Sequence, residues 1–341
     1  MKIKSFILII ILVSTSVVFS QDELSKVGTG MAQFLKLAVG GRGAALGDAY
    51  VASANDVSAL YWNPAGIQEL GGYSFGLSRF QLFADINLNF LGFVMPLGVN
   101  SRLGLHVIYL GSGDIEITTV EDPNGTGEYY NTSNTSVGLT FSRRLTERFS
   151  LGVTAKYLEE KLYNEKANTI AFDVGSQFNT GIYGLKIGMA LTNFGGRMQL
   201  DGPDLDIASE NAATGDSRIS GARRVTEDWP IPLTYRLGMM MDIIGPNSQI
   251  STNSNHRLTL MADGNDPIDH YLRYNTGVEY EWNRVVCLRG GYKFNYDEAT
   301  YTFGAGLNIN MGSQSMFQVD YAFANYGLLG YVHQYSVMIS F

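Results

Sequence analysis

From residue 73 to the C-terminus, apolar side chains alternate with small or polar ones over stretches of about ten residues, the period-two signature of strands with one apolar face. In 151–157, Leu151, Val153, Ala155 and Tyr157 share one face, and Gly152, Thr154 and Lys156 share the other. In 301–309, Tyr301, Phe303, Ala305, Leu307 and Ile309 oppose Thr302, Gly304, Gly306 and Asn308. The last stretch sets Tyr335, Val337, Ile339 and Phe341 against Gln334, Ser336, Met338 and Ser340. About fourteen such segments are predicted, an even number as single-chain bacterial barrels require. They start near Tyr73, Asn87, Arg102, Ser136, Phe149, Asn168, Leu185, Leu233, His256, Leu272, Val285, Tyr301, Ser315 and His333.

The connections sort by parity. Even-numbered ones are mostly short (97–101, 145–148, 179–184, 283–284, 311–314), and odd-numbered ones include the longest (112–135, 195–232, 264–271). Outer-membrane barrels carry short turns on the periplasmic side and longer loops outside. The parity therefore predicts an all-β, antiparallel transmembrane barrel with both termini in the periplasm; only 245–255 is long for its side. A soluble propeller or solenoid would instead repeat a motif at fixed spacing, and no such repeat occurs.

One long stretch, 34–67, escapes the pattern. Ala38, Ala44, Ala45, Ala49, Ala52, Ala54 and Ala59 are interspersed with Gly40, Gly41, Gly43 and Gly47, a thin backbone suited to packing against walls on several sides. Leu35, Leu37, Val39, Leu46, Tyr50 and Val51 add apolar contacts, and Asn55 or Asp56 can cap a short helix over 57–62 that Pro64 ends. The prediction is a plug of two short helical pieces with a glycine-rich break.

Asn63-Pro64-Ala65-Gly66 after a small-residue helical stretch resembles the N-terminal hatch of FadL-related outer-membrane barrels, and more specifically the PorV/PorQ family. The similarity covers Phe34-Leu35-Lys36, the Gly41-Arg42-Gly43-Ala44-Ala45-Leu46-Gly47 run, the residues 58–66, and the closing hairpin 319–341. The terminal aromatic, Phe341, resembles the assembly signal of such barrels. The resemblance implies a non-enzymatic component or cargo-handling partner of type IX protein secretion, working with a translocon or with secreted proteins. The wider FadL relationship implies the alternative, passive uptake of a hydrophobic ligand through a plugged channel.

Composition and charge narrow the picture further. Of 341 residues only 16% are charged, the formal net charge is −8, and 39 glycines stand beside 20 tyrosines and 18 phenylalanines. No Lys/Arg stripe interleaves with the aromatics, which argues against nucleic acid. Residues 1–20 read as a secretory signal: Lys2 and Lys4, an apolar run over 6–13, and Val18-Phe19-Ser20 before Gln21. That divides the chain into signal peptide (1–20), periplasmic N-terminus and lumenal plug (21–71) and barrel (72–341), a monomer placed in outer-membrane lipid.

Catalytic chemistry finds little support. Gly41-Arg42-Gly43 lacks the dinucleotide spacing and no strand precedes it. His106, His256, His270 and His333 are scattered without metal-ligand spacing, and Asp201, Asp204 and Asp206 read as a solvated acidic loop. No cofactor is expected. The charges on inward positions are more telling: Arg102, Lys156, Asp173, Lys186, Arg236, Asp242, Glu279, Glu281, Arg289, Lys293 and Asp320 face the lumen if the apolar faces meet lipid. Turning the basic ones to lipid near the midplane would cost about 2–4 kcal/mol each. Their mixed signs predict salt bridges that hold the plug, with Arg42 and Asp48 as partners. In the longest loop, Trp229-Pro230-Ile231-Pro232 is expected to form a rigid, exposed apolar patch for a protein partner, or else to fold over the barrel mouth. That patch and the mostly polar or small inward positions favour protein binding over transport.

Overall fold

The computed structural model describes residues 27–209, 220–246, 248–312 and 315–341, so the predicted signal peptide lies outside the described residues. The alternating stretches form fourteen long strands: β1 Ser74–Gln81, β2 Asn87–Pro96, β3 Ser101–Gly111, β4 Thr132–Thr146, β5 Phe149–Leu162, β6 Glu165–Asn179 and β7 Lys186–Gly195. The second half comprises β8 Thr234–Gly245, β9 His256–Pro267, β10 Arg273–Trp282, β11 Val286–Phe294, β12 Tyr301–Asn310, β13 Met316–Asn325 and β14 Tyr331–Ser340. Each pairs antiparallel with its sequence neighbours, and β1 closes the barrel on β14 from Ser74↔Ser340 to Gln81↔His333. Closure leaves no edge with unpaired backbone groups in the bilayer. Outward side chains such as Leu288 and Phe303 stay exposed while their neighbours Arg289 and Thr302 are buried, so the alternation read from the sequence is the lipid-to-lumen alternation of the wall.

The turns at one end are tight, at residues 97–100, 147–148 and 283–285; Asn283 and Arg284 both adopt positive φ, the conformation of a two-residue hairpin turn. The opposite end carries residues 112–131 and 196–233, with small two-stranded pairings in both. By the usual asymmetry that is the extracellular end. Two predicted connections differ in detail. β9 runs on to Pro267, held by its ladder to β8, which shortens the loop expected at 264–271 to 268–272. The long periplasmic connection after β8 spends part of its length on a short parallel pairing of Ser251–Thr252 with Ile244–Gly245.

A fourteen-stranded wall encloses more space than its own side chains fill, and residues 31–70 occupy it. They form 3₁₀ turns at Gln33–Lys36 and Pro64–Glu69 and short helices α1 Gly41–Ala45 and α2 Ala59–Trp62. The N-cap position of α2 is Ser58, which has no side-chain cap bond; Asp56, from the expected capping pair, instead accepts from Ser58 N at 2.9 Å through its Oδ1, ahead of the helix. Irregular backbone inside a membrane barrel must find hydrogen-bond partners, and the wall supplies them. Thr302 Oγ1 donates to Ala45 O at 2.9 Å, Gln334 Nε2 to Ala38 O at 3.2 Å and Gln177 Nε2 to Ala54 O at 2.8 Å, and Ser336 Oγ accepts from Gly41 N at 3.1 Å.

The direction of this segment differs from the periplasmic start expected for it, although the N-terminus itself lies outside the described residues. Met31 N donates to Pro230 O at 3.0 Å, in the longest extracellular loop, whereas Arg102 and Arg144 donate to Gly71 O and Gln68 O, both at 3.1 Å, near the periplasmic turns. The described chain thus enters at the extracellular mouth, descends the whole lumen, and only then starts β1. Phe341 pairs with Tyr73 at the periplasmic end.

Candidate functional site: the plugged lumen

The plug touches the wall where the sequence motifs lie. Asn63 is buried; its Nδ2 donates to Val51 O at 2.9 Å and Ser176 O at 3.0 Å, and its Oδ1 accepts from Ala65 N at 3.2 Å. Pro64 and Asn63 press so closely on Gly152 of β5 and Gly175 of β6 that a Cβ at either glycine would collide with them. Within the plug, Gly43 leaves room for the Trp62 indole, whose Nε1 donates to Val39 O at 2.7 Å. Gly41, Ala65 and Gly66 are buried among the same elements, and Gly47, at φ 65°, turns the chain beneath Tyr292 of β11. Inward glycines of the strands mark the plug footprint, a signal that strand alternation alone does not flag.

The inward charges all point into the lumen, and most meet a partner. Arg42 from α1 grips Glu279 of β10 through two bonds of 2.8 Å. Arg289 of β11 joins the same carboxylate at 2.6 Å and continues to Asp320 of β13 at 2.5 Å. Lys293 of β11 reaches Asp48 of the plug at 2.6 Å. Lys156 of β5 pairs with Asp173 of β6 at 2.8 Å, and Arg257 of β9 with Asp242 of β8 at 3.1 Å. Lys186 lies 3.4 Å from Glu69 at the periplasmic end. Arg236 of β8 stacks over Tyr61 and Trp62, 5.1 and 5.2 Å from their ring centroids. Glu281 lines a periplasmic cavity instead of joining this set of pairs among the described residues. Asp263 of β9, outside the predicted set of inward charges, accepts from Val51 N at 2.8 Å and adds a wall-to-plug contact.

The two ends of the lumen differ in kind. Beneath the plug, a cavity of about 380 Å³ is lined by Arg42, Asn55, Lys186, Asp242, Arg257 and Glu279, a polar vestibule facing the periplasm. In the extracellular half one sector of the wall is apolar inside: Phe80, Leu88, Phe90, Ile108, Leu158 and Val332 are buried there with Phe34, Leu35 and Val39 of the plug, while Ser136, Asn193, Asn275 and Lys293 keep inward positions of other strands polar. This zone departs from the mostly polar or small lining expected from the sequence. It is filled with protein, since Tyr61 Oη and Trp62 Nε1 tie the carbonyls of Leu35 and Val39 in place.

The mouth is closed by loops. Ile231 is only 4% exposed, Pro232 is buried, and Trp229-Pro230 pairs with Arg197-Met198. The exposed patch expected at 229–232 is therefore reduced to Trp229, because Pro230, Ile231 and Pro232 fold inward over the start of the plug. Lys36 at the top of the plug pairs with Asp269 of the loop 268–272 at 2.9 Å, and Gln33 donates to the same oxygen at 2.9 Å. Burial would raise the Asp269 carboxyl, but those bonds and the Lys36 charge hold it below the ordinary aspartate range. In the long loop, Arg223 pairs with Asp201 at 2.7 Å and Asp206 at 3.4 Å, so a protein cation answers that acidic cluster.

Residues 19–214 match the family model of the type IX secretion system protein PorV. No curated protein sequence matches the chain. Among solved structures, the CymD monoaromatic hydrocarbon channel aligns with TM-score 0.56 and 11% identity over 89% of this chain and 96% of that one. The toluene transporter TbuX of Ralstonia pickettii aligns with TM-score 0.54 and 13% identity over 89% and 97%. TodX, the toluene transporter of Pseudomonas putida, aligns with TM-score 0.53 and 12% identity over 95% and 99%. At these identities the structural likeness speaks for the barrel fold alone.

Proposed function

The chain belongs to the PorV family of outer-membrane barrels, and on that premise we propose that it is a non-enzymatic component or cargo-handling partner of type IX protein secretion. The observation that carries this reading is the filled lumen. A passive channel for apolar molecules needs a continuous apolar cavity from the extracellular mouth to an exit. Here the apolar zone is occupied by Phe34, Leu35 and Val39, and the vestibule below it is polar and charged. The strand ladder is continuous around the barrel, with register shifts at Arg144/Thr146, Phe172/Val174 and Asp242/Ile244. A sealed, ion-paired barrel suits a role played at its surfaces.

The second reading, a FadL-like uptake channel for hydrophobic small molecules, draws on the apolar lining around Phe80, Phe90, Ile108 and Leu158, which would suit an apolar guest if the plug withdrew. A deletion strain separates the two. The secretion reading predicts loss of secreted and surface-attached proteins with unchanged uptake of a radiolabelled monoaromatic or fatty acid. Intact secretion with impaired uptake would favour the channel.

A further inference from the structure

The outer face of the wall carries a feature that the plug and the loops do not use. Where β14, β1, β2 and β3 lie side by side, a groove of about 410 Å³ opens toward lipid, lined by Leu77, Leu91, Val107, Val337, Tyr109 and Tyr335. Register fixes its layout. Leu77 is level with Val337 on one side and Leu91 on the other, and Leu91 with Val107, which makes an apolar row across four strands. Two residues further toward the extracellular end, Arg79 is level with Tyr335 and Asn89, and Asn89 with Tyr109. Two residues of strand correspond to about 6.6 Å. An exposed guanidinium therefore sits one step above an apolar trough, at the level of tyrosines that mark the membrane interface.

Arg79 differs from Arg42, Arg257 and Arg289, whose guanidiniums meet carboxylates in the lumen. Its hydrogen bonds among the described residues run to the neutral Asn87 Oδ1, at 3.3 Å from Nε and 3.1 Å from Nη2, and it makes no ion pair there. Beside Arg79 the outer face offers only the neutral Asn87 and Asn89, so its charge has no counter-charge among the described residues. Guanidinium matches phosphate oxygens with paired donors, and an arginine stem lies along apolar surface while its head stays at the interface.

We propose that this groove is a binding site for an anionic lipid of the outer leaflet, with Arg79 on the headgroup phosphate and an acyl chain along Leu77, Leu91 and Val337. The assignment is independent of the role in secretion.

Native mass spectrometry of the full mature barrel, released from micelles containing either dimyristoyl-phosphatidylglycerol or dimyristoyl-phosphatidylcholine, tests it. The intact protein should keep one phosphatidylglycerol in preference to phosphatidylcholine. Arg79→Gln should lower that occupancy about tenfold, the loss expected for one charge-assisted contact. Leu91→Trp, which fills the trough without touching the charge, should lower it as well. Arg143→Gln, at the periplasmic end of β4, should not. Heat-modifiable migration of each variant establishes that the barrel has formed. Equal retention of the two lipids, undiminished retention in Arg79→Gln, or undiminished retention in Leu91→Trp would each overturn the assignment.

Discussion

At the residue scale, buried charges that join two elements set the character of this barrel. Removing one partner of a buried pair typically costs about 3–5 kcal/mol, because the other charge is left without compensation. Glu279 is less vulnerable, since Arg42 and Arg289 both serve it. The contact easiest to test lies outside the membrane, where Asp269 holds Lys36 and Gln33. The folded Asp269 carboxyl titrates below its unfolded value, so its contribution is complete above the ordinary aspartate pKa of about 3.9 and disappears as pH falls through the depressed folded value. Asp269→Asn should therefore speed hydrogen exchange over Gln33–Lys36 at pH 7 by about fivefold, the equivalent of about 1 kcal/mol. Corrected for intrinsic rates, that difference should vanish in strong acid; equal protection at pH 7 would remove the clamp. The lumen charges were legible in the sequence because each lies in the phase opposite to an apolar face. Asp263 was not, because Gly264-Asn265-Asp266-Pro267 reads as a turn, and only the ladder to Tyr235 and Arg236 keeps that stretch extended.

At the scale of elements, strand positions were largely legible, since a one-residue slip would turn every lumen charge to lipid. The plug was legible as a small-residue stretch outside the pattern, but its direction was not. About forty residues can fold back to the periplasm or cross the roughly 30 Å of a bilayer core equally well. What fixes the direction is a set of contacts distant in sequence: Met31 with Pro230, Lys36 with Asp269, Asn63 with Ser176. Deleting 36–66 should leave a folded barrel that leaks small solutes from liposomes, and vesicles as tight as those with the intact protein would contradict the filling role of this segment. The last strand makes a separate claim. Phe341 stacks on Tyr73, 6.0 Å between ring centroids, at the seam between β1 and β14. Phe341→Ser should lower the yield of heat-modifiable barrel in the outer membrane while export to the periplasm continues; a normal yield would leave Phe341 with no part in assembly.

For the whole molecule, the arrangement is a sealed cylinder with its described N-terminal residues at the cell surface and its C-terminus at the opposite face. Val27, 54% exposed, lies close in sequence to the Met31–Pro230 contact at the mouth. In Val27→Cys, a membrane-impermeant maleimide added to intact cells should label the new thiol, while native Cys287, 1% exposed in the lumen, stays unlabelled. Labelling that needs broken cells would reverse the orientation. The reading of a barrel that acts through its surfaces is tested most directly by gentle extraction of the tagged protein from native outer membranes, followed by mass spectrometry of the proteins and small molecules that accompany it. The account predicts stoichiometric recovery of a large translocon barrel or of secreted proteins. A lone barrel carrying a fatty acid or another apolar compound in its lumen would contradict it.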